Sequence, residues 1–257
     1  MKAGFKDYLW MDLRRAFKNL KILVGIFGVT MALLYNDYPP PDVVAWVGEM
    51  IHTSVIIMAA FMFAIFPYAT AFCEDMEYQY GMQLVLRGNS FFYVCSKLIV
   101  VFISSGFTMF LGFLITSLII YLRYGLPVRE RLDDILGVNG FYGKFILQEN
   151  YMMYFLCAGL QIACLAGTLA VIGLACSLFI KNRMLVYILP ITFFYIEDIM
   201  AARFFGWEAG CLFSLNGMGV QSLAVTVRGQ SWQMYYIEIL MILICCGAIM
   251  CKKTERR

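Results

Sequence analysis

The sequence predicts an all-α integral membrane protein: six transmembrane helices, an N-terminal interfacial amphipathic helix, and a re-entrant or extracellular hairpin before the last span. Three observations carry that expectation. Hydrophobic residues make up 62% of the chain and charged ones 14%, against about 45–50% and about 25% in soluble domains. The apolar residues fall in unbroken runs of bilayer-spanning length, such as the 25 uncharged residues 98–122. Lysines and arginines cluster at the ends of these runs, where membrane topology places them.

Residues 5–20 read as the interfacial helix. Phe5, Leu9, Leu13, Ala16 and Leu20 share one helical stripe, widened by Trp10 and Phe17, with Asp7, Arg14, Arg15 and Lys18 opposite. A signal peptide is the competing assignment, because a basic start precedes an apolar run, but no small-residue cleavage site follows. The first span covers 21–35; Pro39, Pro40 and Pro41 end it, and Asp42 is placed to cap a second, 42–73. A polar stretch, 74–96, is broken at Gly81 and Gly88 and leads to the third span, 98–122. The loop 123–150 holds a short surface helix at 128–136, and the remaining spans are 151–180, 184–200 and 233–251. Between the last two, 201–232 is too apolar for an exposed loop yet is interrupted by Gly206, Gly210, Gly217 and Gly219, which suits a hairpin.

Counting Lys and Arg on alternate sides of six spans gives fourteen against six, so both termini are expected on the cytoplasmic side of the plasma membrane. No internal repeat is visible, and residues 1–257 read as one transmembrane domain. A formal charge of +3 is too small to suggest nucleic acid as a partner. Of nine cysteines, Cys73, Cys157, Cys164, Cys176, Cys245, Cys246 and Cys251 lie in or beside apolar runs without metal-ligand spacing, and they read as small hydrophobes.

Catalytic chemistry has little to work with here. A membrane hydrolase needs a metal cluster, an activated nucleophile or a carboxylate pair, and the chain has a single histidine, His52, near a span end. The stretch Gly137 to Phe145 has Val138 where a phosphate loop needs its first glycine and Phe145 where it needs a hydroxyl, so no ATPase activity, metal or cofactor is expected in this chain. Charges in hydrocarbon are costly, which marks Glu197, Asp198 and Glu238 as candidates for a translocation path or proton relay. The plainer reading stands beside it: Glu197 and Asp198 cap a span end and Glu238 pairs with a neighbour. Gly159, Ala163 and Gly167 recur every four residues, a pattern for close helix packing within or between chains.

The segment Phe72-Cys73-Glu74-Asp75-Met76-Glu77-Tyr78-Gln79-Tyr80-Gly81, with Leu86-Arg87-Gly88-Asn89-Ser90 and Tyr93-Val94-Cys95-Ser96-Lys97 after it, resembles the first cytoplasmic loop of ABC-2-type transporter permeases. In that family an acid at the end of the second span leads into a short coupling helix, and a lysine opens the third. The layout of interfacial helix, six spans and late hairpin is similar too. The resemblance implies a permease that forms a homodimer with a second copy and pairs with separate ATP-binding cassette subunits, which supply ATP and magnesium. It places 74–89 on the ATPase, with Glu74, Asp75, Glu77, Tyr80, Gly81 and Arg87 as coupling residues. Small permeases of this type without a large external domain resemble exporters of antimicrobial or toxin peptides, including the phenol-soluble modulin exporters, and also drug or lipid exporters; of these, an amphipathic or hydrophobic peptide is the expected cargo. An ion- or proton-coupled secondary transporter using Glu197, Asp198 or Glu238 is the alternative.

Overall fold

A computed structural model describes residues 4–35, 40, 42–52, 54–77, 90–126, 142–180, 182–210 and 232–255. Every regular element among them is a helix: α1 (Phe5–Phe17), α2 (Lys21–Leu34), α3 (Val43–His52), α4 (Ser54–Ile65), α5 (Ala71–Glu77), α6 (Ser90–Tyr124), α7 (Gly143–Leu147), α8 (Tyr151–Ser177), α9 (Arg183–Gly210) and α10 (Trp232–Glu255). Residues 91–124 of α6 and the whole of α8 are each long and apolar enough to cross a membrane, and α1 with α2 makes a third candidate if the pair, bent by 56°, counts as one. The six expected spans thus reduce, among the described residues, to two or three that meet the requirement by length and composition.

α6 and α8 form the axis of the bundle. Their backbones meet along small residues: a Cβ on Gly167 would lie 2.7 Å from the Phe102 ring, and one on Gly106 would lie 3.2 Å from the Ala163 carbonyl. Where the helices touch, dispersion between close-packed atoms supplies attraction that lipid tails cannot match. α2 enters the same way, with Gly28 against the ring of Phe63 on α4 and Gly112 of α6 against Val29. Within α6, Thr108, Thr116 and Ser117 donate to the carbonyls of Ser104, Gly112 and Phe113 on the preceding turn, while the Ser105 hydroxyl crosses to the Ala166 carbonyl of α8 at 3.1 Å. The outward surface is apolar as well, with Leu23, Val24, Phe27 and Met31 exposed along α2 and Leu118 and Leu122 along α6. Water would make such a surface a liability; a bilayer solvates it.

Several element boundaries differ from the sequence expectation, each for an identifiable reason. The apolar run 42–73 is not one helix: α4 stops at Ile65, residues 66–70 form a turn around Pro67, and α5 restarts at Ala71. Proline lacks an N–H and disfavours the α conformation in the residue before it, so the break falls there although hydropathy is continuous. Residues 90–96, expected in the polar loop, are already the first turns of α6. At the other end of the fifth span the helix runs past Met200 to Gly210, carrying Gly206 inside it, so 201–210 belongs to α9 rather than to the hairpin. A helix tolerates one interior glycine at about 1 kcal/mol. The surface helix expected at 128–136 and the rest of the hairpin, 211–231, lie outside the described residues.

Asp42 caps α3 as its sequence position suggests, accepting from the backbone N–H groups of Val44 and Ala45 at 2.9 and 2.8 Å. α1 turns differently from its apolar stripe. Its buried side chains are Tyr8, Asp12 and Ala16, whereas Trp10 is 68% and Phe17 39% exposed instead of widening the buried face.

Candidate functional site

Two carboxylates and a lysine lie fully inside the bundle where α1, α5 and α6 converge. Asp12 comes from α1, Asp75 from α5 and Lys97 from α6, none more than 1% exposed. Helical spacing puts them there: Asp12 sits between Tyr8 and Ala16 on the inward stripe of α1, and Asp75 follows the buried Ala71 and Phe72 on α5.

The lysine ammonium bridges the two acids, 2.7 Å from Asp75 Oδ2 and 3.3 Å from Asp12 Oδ1. Each carboxylate is then completed by two further donors. Asp12 accepts from the Tyr68 hydroxyl at 2.9 Å and the Ser96 hydroxyl at 2.5 Å. Asp75 accepts from the Tyr93 hydroxyl at 2.6 Å and from Arg15 Nη1 at 2.7 Å. The rings of Tyr93, Tyr68 and Phe72 stand 5.2, 5.5 and 5.8 Å from the lysine nitrogen, within cation–π range. With Arg15 included, two negative charges meet two positive ones, which is the condition for keeping such groups out of water. Burial pushes the Asp75 carboxyl up, but Lys97, Tyr93 and Arg15 outweigh it and hold the carboxyl below its usual range. Arg15, half withdrawn from water, is raised by its bond and attraction to Asp75 against the lowering effect of burial.

The other acids of α5 reach different elements. Glu74 Oε1 pairs with Lys21 Nζ of α2 at 2.6 Å. Glu77 pairs with Arg183 at the start of α9, both of them solvent-facing. The Cys73 thiol donates to the Ser177 and Ile180 carbonyls at the end of α8, at 3.6 and 3.3 Å. A helix of seven residues is therefore fastened by side chains to α1, α2, α6, α8 and α9.

Of the residues marked from sequence, Glu74, Asp75 and Glu77 come together on α5, while Tyr80, Gly81 and Arg87 lie outside the described residues. Glu197 is half-buried on α9, 14 residues beyond Arg183, or about 21 Å along the axis; the side chain of its neighbour Asp198 is outside the description. Glu238 is half-buried on α10 towards the opposite end of the bundle, and its Oε2 has no hydrogen-bond partner among the described residues. Glu197 and Glu238 do not join the α5 cluster. Gly159, Ala163 and Gly167 face α6 of the same chain, against Phe110 and Phe113, Gly106 and Phe102 respectively.

Sequence reading missed Asp12, and it missed Tyr68 and Ser96 as its partners. A helical wheel does place Asp12 on the flank of the apolar stripe of α1, which was the available signal. No group of three or more His, Cys, Asp or Glu side chains among the described residues is placed to hold a metal ion. Mechanically, the cluster is a joint between helices.

By fold and site the chain is a helical protein with bilayer-length helices and a buried, charge-balanced knot at one end of the bundle. No protein-family model, curated protein or solved structure matches it.

Proposed function

We propose that the chain is the transmembrane subunit of an ATP-driven ABC exporter. It lies in the plasma membrane with six crossings and both termini in the cytoplasm. A second copy completes the pathway, and separate ATP-binding cassette subunits bind ATP and magnesium and receive the loop 74–89. The cargo is an amphipathic or hydrophobic peptide, for which helices rich in methionine and aromatic side chains offer an adaptable apolar wall.

One observation carries the reading. Glu74, Asp75 and Glu77, at the stem of the proposed coupling loop, are ion-paired to α1, α2, α6 and α9. A displacement delivered to α5 is therefore passed to four helices at once, the requirement for converting a push from a soluble ATPase into helix tilting. Purification of the tagged chain in mild detergent tests it. An ATP-hydrolysing subunit co-purifies with the wild type and is lost in Arg87→Glu while membrane insertion is retained; a wild-type preparation that never carries such a subunit overturns the assignment.

A second reading, proton- or ion-coupled secondary transport, is favoured by Glu238, whose buried oxygen lacks a partner among the described residues. In proteoliposomes it requires transport driven by a pH gradient without ATP and abolished by Glu238→Gln.

A further inference from the structure

Beside the 56° bend between α1 and α2, the second half of α1 and the turn that follows it line an open cleft of about 770 Å³ with Trp10, Arg14, Arg15, Lys18, Asn19 and Leu20. Its cations are unevenly used. Arg15 points back to Asp75, while Arg14 and Lys18 are exposed and make no ion pair among the described residues. No acid is among the residues lining the cleft. The Asn19 side-chain oxygen accepts from the Lys21 N–H at 3.3 Å and so helps shape the turn.

One wall of the cleft is apolar, and it continues. Leu20 is 73% exposed and begins a stripe of exposed Leu23, Val24, Phe27 and Met31 that descends α2 at helical spacing. Trp10, which lines the cleft from α1, is the residue type that bilayers hold at the headgroup level. A ligand that satisfies the whole surface has an anionic head for the two unpaired cations and an apolar tail for the stripe. From this we infer that the α1–α2 elbow is a binding site for an anionic phospholipid, its phosphate between Arg14 and Lys18 and one acyl chain along the outward face of α2. Guanidinium and ammonium groups both suit phosphate oxygens, and each basic residue near an anionic surface adds measurably to the attraction. The inference needs α2 to cross the bilayer and is independent of whether the chain exports peptides.

Native mass spectrometry of the detergent-purified full chain, with equimolar phosphatidylglycerol and phosphatidylcholine, tests it. Wild type retains phosphatidylglycerol in preference to phosphatidylcholine. Arg14→Gln/Lys18→Gln lowers that preference at least about fivefold, the effect of one basic group near an anionic surface. Arg14→Lys/Lys18→Arg, which keeps both charges, restores it even if melting of the neutral variant reveals some loss of fold. Lys252→Gln/Lys253→Gln, which removes two cations from the end of α10, leaves the preference unchanged. Equal losses in the two neutral variants, or none in the elbow variant, overturn the site. Displacement of the lipid by millimolar inorganic phosphate overturns the lipid assignment in favour of a free anion.

Discussion

Lys97 is the residue on which the interior of this bundle turns. An ammonium without water costs several kcal/mol, and the two carboxylates beside it would each cost a similar amount alone. The arrangement is tolerable because each acid has three donors and the four charges, counting Arg15, cancel. Such pairs compare poorly with a well-packed apolar core, but removing one member strands the others. Lys97→Met should therefore destabilise the detergent-solubilised protein by about 3–5 kcal/mol, read as a thermal or denaturant midpoint shift. Asp12→Asn added to it should recover part of the loss, since Asp75 keeps Arg15 and the remaining charge is balanced; a double variant no more stable than the single one would refute the pairing. This residue-level design was half legible. Asp75 and Lys97 drew notice through a motif, but Asp12 reads only as an acid flanking an apolar stripe until its cation, 85 positions away, is known to sit opposite. Local periodicity carries no information about such a distant charge.

At the scale of elements, what was readable and what was not divide along hydrogen bonding. Long apolar runs announced α6 and α8, and the small residues at Gly159, Ala163 and Gly167 announced a close contact, although not its partner. The start of α6 was hidden because a charge normally marks the edge of the apolar region. Lys97 marks no edge here: its charge is neutralised inside, so the helix begins at Ser90, two turns earlier. The break at Pro67 was hidden for the opposite reason, since a continuous apolar run masks a backbone interruption. Helix contact gives the test at this scale. Gly167→Leu would drive its Cβ to 2.7 Å from the Phe102 ring and 3.0 Å from the Phe102 carbonyl oxygen, and backbone cannot yield as a side chain can. The expected cost is about 1–3 kcal/mol or more, with reduced yield of folded protein. Gly247→Ala, which meets only the flexible end of Leu98 at 3.1 Å, should be nearly silent. Equal melting of the two variants would show that α6 and α8 do not depend on that approach.

For the whole molecule, the two ends of the bundle can be told apart by their contacts. Lys253 near the end of α10 lies over the Phe179 ring just beyond α8, and Cys73 of α5 bonds to Ser177 and Ile180 carbonyls, so the ends of α8 and α10 share the side of the charge knot. At the far side the Val43 N–H donates to the Gly125 carbonyl, and the side chains of Tyr142 and Tyr236 hydrogen-bond. Among the described helices, chain direction thus alternates through α2, the α3–α4 pair, α6, α8, α9 and α10, which brings the end of α10 to the side of the knot. The proposed topology of six crossings, which assigns fourteen Lys and Arg to the cytoplasmic side and six to the other, would give that path its orientation in the cell. Alkaline phosphatase fused after Glu149 should accordingly be exported and active, and the same enzyme fused after Ile180 inactive. A fluorescent protein at the C-terminus should mature in the cytoplasm. The reverse pattern would put the α5 acids outside the cell, where no ATP-binding subunit could reach them, and would remove the exporter reading together with the proposed topology.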